Sequence, residues 1–271
     1  MIELIELNKV YKMDNLELLN QLPNNYIDLI YCDILYNTGR KFKDYNDNLG
    51  TPQQAIEWYK PRIKEMYRVL KDTGSIYLHC DWHLNSYIRV LLDELFGYKN
   101  FRNEIIWHYS GIKRSTARNF PQKHDSIYSY TKSDTYVWNV QYKQHKKEYL
   151  KRFKPDETGR LCRQDVNPTN GGKRKIYLDE VKGDIVDSLW NDIYVLNPMA
   201  NERINYDTQK PKSLLERIIK SSSNENDIVL DLFCGSGTSM VVAKELGRKY
   251  IGCDISERAI EISEKRLNEI V

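Results

Sequence analysis

The chain has few cysteines and no long apolar run. Its five cysteines are scattered over 271 residues and never form a CxxC pair. A dispersed, odd-numbered set is typical of reduced thiols, so we predict neither a zinc site nor a disulfide framework. No apolar stretch approaches the roughly 18 residues that span a bilayer, which argues against a membrane partner. The start lacks a basic segment followed by an apolar one, so we expect no signal peptide and a cytoplasmic location.

A strong net charge is also missing, since 41 Lys and Arg residues nearly balance 38 Asp and Glu residues. The distribution is less even, because residues 131–183 contain 13 basic and 7 acidic residues. Aromatic residues are interleaved with these charges, and hydrophobic periodicity fades over residues 131–205. Two interpretations stay open for this stretch: a solvated, loop-rich insertion, or a surface that meets nucleic-acid phosphates.

Short apolar segments alternate with amphipathic ones on both sides of the middle stretch. Helical periodicity is present in residues 51–70, where Pro61 predicts a break or kink, and in residues 85–96 before Gly97. A further helix is predicted to begin with Pro211 at its first position. Strands alternating with helices predict an α/β fold with a mostly parallel sheet covered on both faces. The predicted buried strands are residues 28–33, 75–80, 227–233 and 249–254.

The most specific pattern is a glycine-rich turn between a predicted strand and a predicted helix. Glycines let the backbone approach a ligand, and the helix N-terminus offers free N–H groups. Asp254 ends the next strand, where a carboxylate can accept hydrogen bonds from both ribose hydroxyls of a nucleoside. An ordinary tight turn is the alternative, and a GxGxxG fingerprint is not met because residue 240 is methionine. The predicted ligand-binding residues of the turn are Asp231, Phe233, Cys234, Gly235, Ser236, Gly237 and Thr238.

Two weaker patterns are ambiguous when each is taken alone. Asp33, Ile34, Leu35 and Tyr36 follow a predicted strand, at the sheet edge where open α/β sheets bind ligands. A strand that ends in aspartate is nevertheless common. Residues 208–211, Thr-Gln-Lys-Pro, precede the helix upstream of the glycine turn. They are equally consistent with a helix-initiating proline beside a solvated lysine.

In this order, the three patterns resemble the amino-methyltransferase family of DNA modification enzymes, specifically its permuted β-group. In that group a tetrapeptide [D/N/S]-P-P-Y precedes the target-recognition region, and an F-x-G-x-G motif lies near the C-terminus. Here residues 33–36 stand in the place of the first motif, and residues 233–237 match the second. The resemblance implies a Rossmann-like S-adenosylmethionine-dependent methyltransferase fold. The implied segments are a catalytic part (1–130), a target-recognition insertion (131–205) and a cofactor-binding part (206–271).

The resemblance also implies roles for individual residues. Asp33 and the main-chain carbonyl of Ile34 would accept hydrogen bonds from the target amino group, and Tyr36 would stack on the flipped base. The glycine turn, Asp254, Thr208 and Lys210 would bind S-adenosyl-L-methionine. Asp14 falls where the family contacts the cofactor adenine, although a helix N-cap is an equally good interpretation.

This chain departs from the family pattern at the two prolines of the tetrapeptide. Ile34 and Leu35 replace them, so the carbonyl is kept but the fixed φ is lost. Activity could therefore be reduced, or neighbouring packing could hold the loop instead.

The implied substrate is N6 of adenine in double-stranded DNA, because aspartate at the first tetrapeptide position favours adenine. C5-cytosine methylation is not expected, since it needs a cysteine nucleophile, typically in a Pro-Cys pair, and no cysteine follows a proline. Alternatives are N4 of cytosine, RNA, a weakly active DNA-binding subunit, or a nicotinamide oxidoreductase on a similar sheet. The resemblance implies a bacterial or phage-type, nucleoid-associated protein, and it leaves a homodimer and a cognate restriction endonuclease open.

Overall fold

A computed structural model describes residues 5–111, 118–169, 171–204 and 206–270. The chain divides into two packed units, Met1–Asn139 with Ser188–Val271, and Val140–Asp187. The second unit is narrower than the predicted insertion 131–205, because the residues flanking it pack with the first unit. The predicted segments 1–130, 131–205 and 206–271 each include at least one residue outside the described ranges.

An eight-stranded sheet forms the centre of the first unit. Its strands are β1 (Lys9–Lys12), β2 (Ile27–Asp33), β3 (Leu70–Cys80), β4 (Phe101–His108), β5 (His124–Thr131), β6 (Leu189–Trp190), β7 (Ile228–Asp231) and β8 (Lys249–Asp254). Their order in space is β1-β8-β7-β2-β3-β5-β4-β6. Among the strands that the structure describes, only β5 runs antiparallel to its neighbours, β3 and β4. The predicted mostly parallel α/β sheet is therefore confirmed.

The helices of the first unit follow the strands and cover the sheet. They are α1 (Asn15–Gln21), α2 (Pro52–Val69), α3 (Asn85–Leu92), α4 (Lys212–Ser222), α5 (Thr238–Glu245) and α6 (Glu257–Asn268). A capping box of Thr51 and Gln54 starts α2, which continues through Pro61. The predicted break is wrong because Pro61 lies on the exposed face, where water can reach the carbonyl that it leaves free. Tyr59 and Ile63, on either side, are fully buried.

One end of α3 and one end of α4 differ from the prediction. The helix predicted for residues 85–96 ends as α-helix at Leu92, and a π-helical turn, Asp93–Gly97, follows it. Pro211 is the N-cap of α4 and not its first helical residue, because its ψ of 142° is extended. Ser256 caps α6, and its hydroxyl accepts a hydrogen bond from the Ala259 N–H.

The second unit is built from short antiparallel strands. One sheet pairs Leu161–Val166 with Lys173–Tyr177 and with Lys154–Pro155, and a second pairs Tyr142–Lys143 with Asp184–Ile185. A one-turn helix spans Lys147–Leu150. Within the described ranges of the whole chain, no helix has the length and apolar character that crossing a membrane requires.

Candidate active site

A cavity of about 480 Å³ opens where β2, β7 and β8 end. Asp33, Asp231 and Asp254, the last residues of these three strands, all line it. The tetrapeptide and the glycine turn, 200 residues apart in sequence, therefore share one cavity because parallel strands end at the same edge. Every other predicted site residue lines this cavity except Gly237. The further lining residues among those predicted are Ile34, Tyr36, Phe233, Cys234, Gly235, Ser236, Thr238, Thr208, Lys210 and Asp14.

The glycine turn is held by the carboxylate at the end of β8. The Gly235 N–H donates to one oxygen of Asp254 at 2.9 Å, and the Ser256 N–H donates to the other at 2.9 Å. Gly235 has a φ of 49° and Gly237 a φ of 72°, the left-handed region that favours glycine. A Cβ atom at Gly237 would lie 2.6 Å from the Ser263 hydroxyl oxygen, so this glycine allows α5 and α6 to pack closely.

Asp231 also holds the glycine turn through hydrogen bonds. Its carboxylate accepts hydrogen bonds from the Phe233 N–H, at 3.0 Å, and from the Ser239 hydroxyl. Burial raises the pKa of Asp231 to about 7, against the lowering effect of these two bonds. Burial likewise raises the pKa of Asp254. Two carboxyl groups are thus kept close to the cavity in a poorly solvated setting.

Asp14 and an aromatic pair lie on another wall of the cavity. Asp14 is the N-cap of α1, and its second oxygen accepts a hydrogen bond from Arg62 at 2.8 Å. The guanidinium of Arg62 lies 3.4 Å from the centre of the Trp58 ring. The centres of the Trp58 and Phe233 rings are 6.3 Å apart, and the two rings are tilted. The N-cap interpretation of Asp14 is confirmed, and its position still leaves it on the cavity surface.

Asp33, at the end of β2, has partners on both carboxylate oxygens. The Tyr36 hydroxyl donates to one oxygen at 2.7 Å, and the Lys210 ammonium pairs with the other. Lys210, which the resemblance assigned to the cofactor, therefore contacts the aspartate of the tetrapeptide. Burial, and then the Asp33 charge, raises the pKa of Tyr36, so its hydroxyl stays protonated and able to donate.

A buried polar network beneath Asp33 was not predicted from the sequence. His79 is fully buried, and its two ring nitrogens lie 3.0 Å from the Tyr31 hydroxyl and 3.1 Å from a carboxylate oxygen of Asp125. The Tyr109 hydroxyl donates to the other Asp125 oxygen at 3.0 Å. Burial alone would raise the pKa of Asp125, but the bonds from His79 and Tyr109 and the nearby Lys210 charge hold it below its usual range.

A signal for this network does exist in the sequence. His79 follows three apolar residues, 76–78, and Asp125 lies two residues before Ile127, and polar side chains buried in a strand need partners. The identity of those partners depends on which strands are neighbours in the sheet, and the sequence pattern does not give the strand order. Among the described residues, no group of His, Cys, Asp and Glu side chains is arranged to hold a metal ion.

Comparison with known proteins agrees with this geometry. A family model described as DNA methylase matches residues 27–265. The chain belongs to this DNA methylase family. It is similar to the type II methyltransferase M.HpaI of Haemophilus parainfluenzae, with 33% identity over 251 residues, covering 92% of this chain and 71% of that one. It is also similar to the DNA adenine methyltransferase YhdJ of Escherichia coli (strain K12), with 30% identity over 256 residues and coverages of 94% and 81%.

A solved structure, the M1.HpyAVI–SAM complex, has the same fold as this DNA methylase. The TM-score is 0.59 at 22% identity, covering 96% of this chain and 98% of that one. The predicted family and its methyltransferase fold are thus confirmed, and S-adenosylmethionine is confirmed as the cofactor of the family. The cavity fits such a nucleoside cofactor: it presents the Asp254 carboxylate, the backbone of the glycine turn and the Trp58–Phe233 aromatic pair on its walls.

Proposed function

We propose that the chain is a site-specific methyltransferase that modifies N6 of adenine in double-stranded DNA after base flipping. The observation that carries this proposal is the placement of Asp33, Ile34 and Tyr36 in one cavity with the glycine turn. The proposal assigns one side of the cavity to the methyl donor and the other to the target base.

The cofactor side consists of the glycine turn and the acidic residues around it. Asp254 would accept the ribose hydroxyls, the turn 233–238 would meet the methionine part, and Asp14 beside Trp58 would contact the adenine. Thr208 also lines the cavity and belongs to the proposed cofactor set. When bound, S-adenosyl-L-methionine supplies an electrophilic methyl group.

The target side makes a weak nucleophile reactive. The lone pair of the adenine amino group is delocalised into the ring, and acceptors for both N–H bonds localise it on nitrogen. In the described part of the chain no donor is bonded to the Ile34 carbonyl, which leaves it available as one acceptor. The Lys210 ammonium pairs with Asp33, the other acceptor. Asp33 is also the group placed to take the proton that the amino group releases.

Tyr36 forms the aromatic platform for the flipped base. Its hydroxyl is tied to Asp33, so the ring and the carboxylate are oriented together. Base–aromatic stacking is worth roughly 1–3 kcal/mol per base, which offsets part of the cost of flipping.

We propose the second unit, Val140–Asp187, as the region that reads DNA. It carries twelve Lys and Arg residues against eight Asp and Glu residues. In its main ribbon Gln164 pairs with Lys175, and Val166 with Lys173, and all four side chains are exposed. Within the described residues these two lysines make no ion pair. A two-stranded ribbon fits the major groove, where Gln and Lys can bond base edges.

The target base and the setting in the cell complete the proposal. Aspartate at position 33 favours adenine, and one relative is named an adenine methyltransferase. Another relative is named a type II methyltransferase, so we propose action beside a cognate restriction endonuclease in a bacterial cytoplasm.

Product analysis tests the function directly. Purified protein, S-adenosyl-L-methionine with a labelled methyl group, and either duplex DNA or RNA would be incubated, and the digested nucleosides identified by mass spectrometry. Labelled N6-methyldeoxyadenosine from DNA supports the proposal. Labelled N4-methyldeoxycytidine would identify cytosine as the target base, and a labelled ribonucleoside would identify RNA as the substrate. The absence of any labelled product would favour a non-catalytic, DNA-binding subunit.

A further inference from the structure

The tetrapeptide lacks the two family prolines, yet its backbone is anchored. The Ile34 N–H donates to the His79 carbonyl at 3.1 Å, and the Ile34 side chain is buried. The Leu35 carbonyl accepts a hydrogen bond from the Tyr59 hydroxyl at 2.8 Å. Tyr59 projects from α2 and is fully buried.

The anchor at Ile34 is one that proline could not make. Asp33 pairs with His79 in the β2–β3 register, and the Ile34 N–H adds one more bond beyond the end of the strand. A proline at position 34 has no N–H group, so the bond to His79 would be lost. Isoleucine at this position is therefore part of a different way of holding the same segment.

Three peptide units in a row define the direction of the Ile34 carbonyl. The first contains the Ile34 N–H and is fixed by His79, and the third contains the Leu35 carbonyl and is fixed by Tyr59. The second contains the Ile34 carbonyl and lies between them. Since peptide units are planar, two anchored neighbours fix the Cα atoms of Ile34 and Leu35, and the middle unit can turn only about the line that joins them.

The segment that follows is held as well. Asn37 has a φ of 58°, and its N–H donates to the buried Asp47 carboxylate at 2.9 Å. The Thr38 N–H donates to the other Asp47 oxygen at 3.0 Å. Tyr36 therefore lies between two fixed points, the Leu35 carbonyl and the Asn37 N–H.

We propose that Tyr59 is a positioning residue of this enzyme. Its buried hydroxyl fixes the Leu35 carbonyl, and thereby the Ile34 carbonyl and the Tyr36 ring, in the role that proline stiffness serves in the family pattern. The catalytic part of this inference rests on the proposed function. The structural part, a hydroxyl that restrains residues 34–38, is independent of it.

The test is Tyr59→Phe, which keeps the ring and removes only the hydroxyl. We expect kcat for DNA methylation to fall about tenfold, because small misplacements of reacting groups are costly in rate. Cofactor Kd should be unchanged, and amide hydrogen exchange of residues 34–38 should become faster. Adding Leu35→Pro should restore kcat, since the Leu35 N–H makes no hydrogen bond in the described part of the chain and proline fixes φ at that residue.

Tyr130→Phe is the matched control. Tyr130 is also fully buried, and its hydroxyl donates to Asp93 at 2.6 Å, away from the cavity. It should lose thermal stability without a change in kcat or in exchange of residues 34–38. Equal kcat losses in the two variants would overturn the proposal, as would unchanged exchange in Tyr59→Phe or a kcat that Leu35→Pro fails to raise. An inactive wild type would contradict the proposed function, and the exchange comparison would still test the restraint.

Discussion

At the scale of single residues, the Asp33 carboxylate is bonded by the Tyr36 hydroxyl and paired with the Lys210 ammonium. Asp33→Asn keeps the shape of the side chain but removes the charge and one acceptor. We expect methyl transfer to fall by roughly 100-fold or more, with cofactor Kd unchanged. Asp28→Asn is the control, because Asp28 pairs with Lys71 at the other end of β2. Wild-type turnover in Asp33→Asn would remove Asp33 from the mechanism.

Asp231 makes stability depend on pH in a predictable direction. Its pKa rises from 3.8 to about 7 in the folded protein because it is buried. The folded state then holds a proton that the unfolded chain has lost, so stability falls as pH rises from about 4 to about 7 and is level above that. We expect Asp231→Asn to remove this decline, by on the order of 1–4 kcal/mol. Urea unfolding of both proteins at pH 5 and pH 8 measures it, and parallel pH profiles would contradict the assignment.

Single residues also show how far sequence reasoning reaches. The pattern around Asp14 allowed an N-cap or a cofactor contact, and the structure places one carboxylate at the helix end and on the cavity wall. The partner of Lys210 could not be predicted, because the Asp33–Lys210 pair joins residues 177 positions apart. His79 and Asp125 were missed for the same reason, since their pairing needs the β3–β5 neighbourhood.

At the scale of elements, Gly237 connects the glycine turn to helix packing. It has a φ of 72°, and an added Cβ would collide with Ser263 on α6. Gly237→Ala should lower the free energy of unfolding by about 1–3 kcal/mol more than Gly159→Ala does. Gly159 is a matched control, because its φ is 82° but nothing lies within 4 Å of an added Cβ. Equal destabilisation in chemical unfolding would show that backbone strain alone matters.

Helices and strands were predictable where local pattern decides them. The strand before the tetrapeptide and the Ser256 cap follow from apolar runs and from N-cap chemistry. Pro61 and the end of α3 did not follow, because α2 continues through an exposed proline and residues 93–97 form a π-helical turn that no local pattern marks. Local propensity is a weak guide to where a helix ends when its buried face continues beyond the predicted end.

At the scale of the whole molecule, the second unit supplies the excess positive charge. Lys146 and Lys147 are both exposed in this unit, and changing both to glutamate should weaken DNA binding. The slope of log Kd against the logarithm of the salt concentration should fall by up to about 2. Cofactor binding should be unchanged. Reversing Lys64 and Lys265, exposed on α2 and α6, makes the same change in net charge as a control. A salt slope that changes equally in both double variants would indicate general charge rather than phosphate contacts.

The order of motifs along the chain made the fold of the first unit predictable, because strand-end residues in a parallel sheet converge on one edge. The extent of the second unit was not predictable to the residue. Its boundaries, Val140 and Asp187, depend on which flanking residues pack against the main sheet, as the pairing of β6 with β4 illustrates. Composition alone indicates only where periodicity fades.

The central claim is that this chain methylates N6 of adenine in DNA through Asp33. The most direct measurement is mass spectrometry of nucleosides from duplex DNA treated with labelled S-adenosyl-L-methionine and either the wild type or Asp33→Asn. We predict labelled N6-methyldeoxyadenosine with the wild type and roughly 100-fold less, or none, with the variant. Labelled N4-methyldeoxycytidine, or equal adenine labelling by both proteins, would contradict the claim.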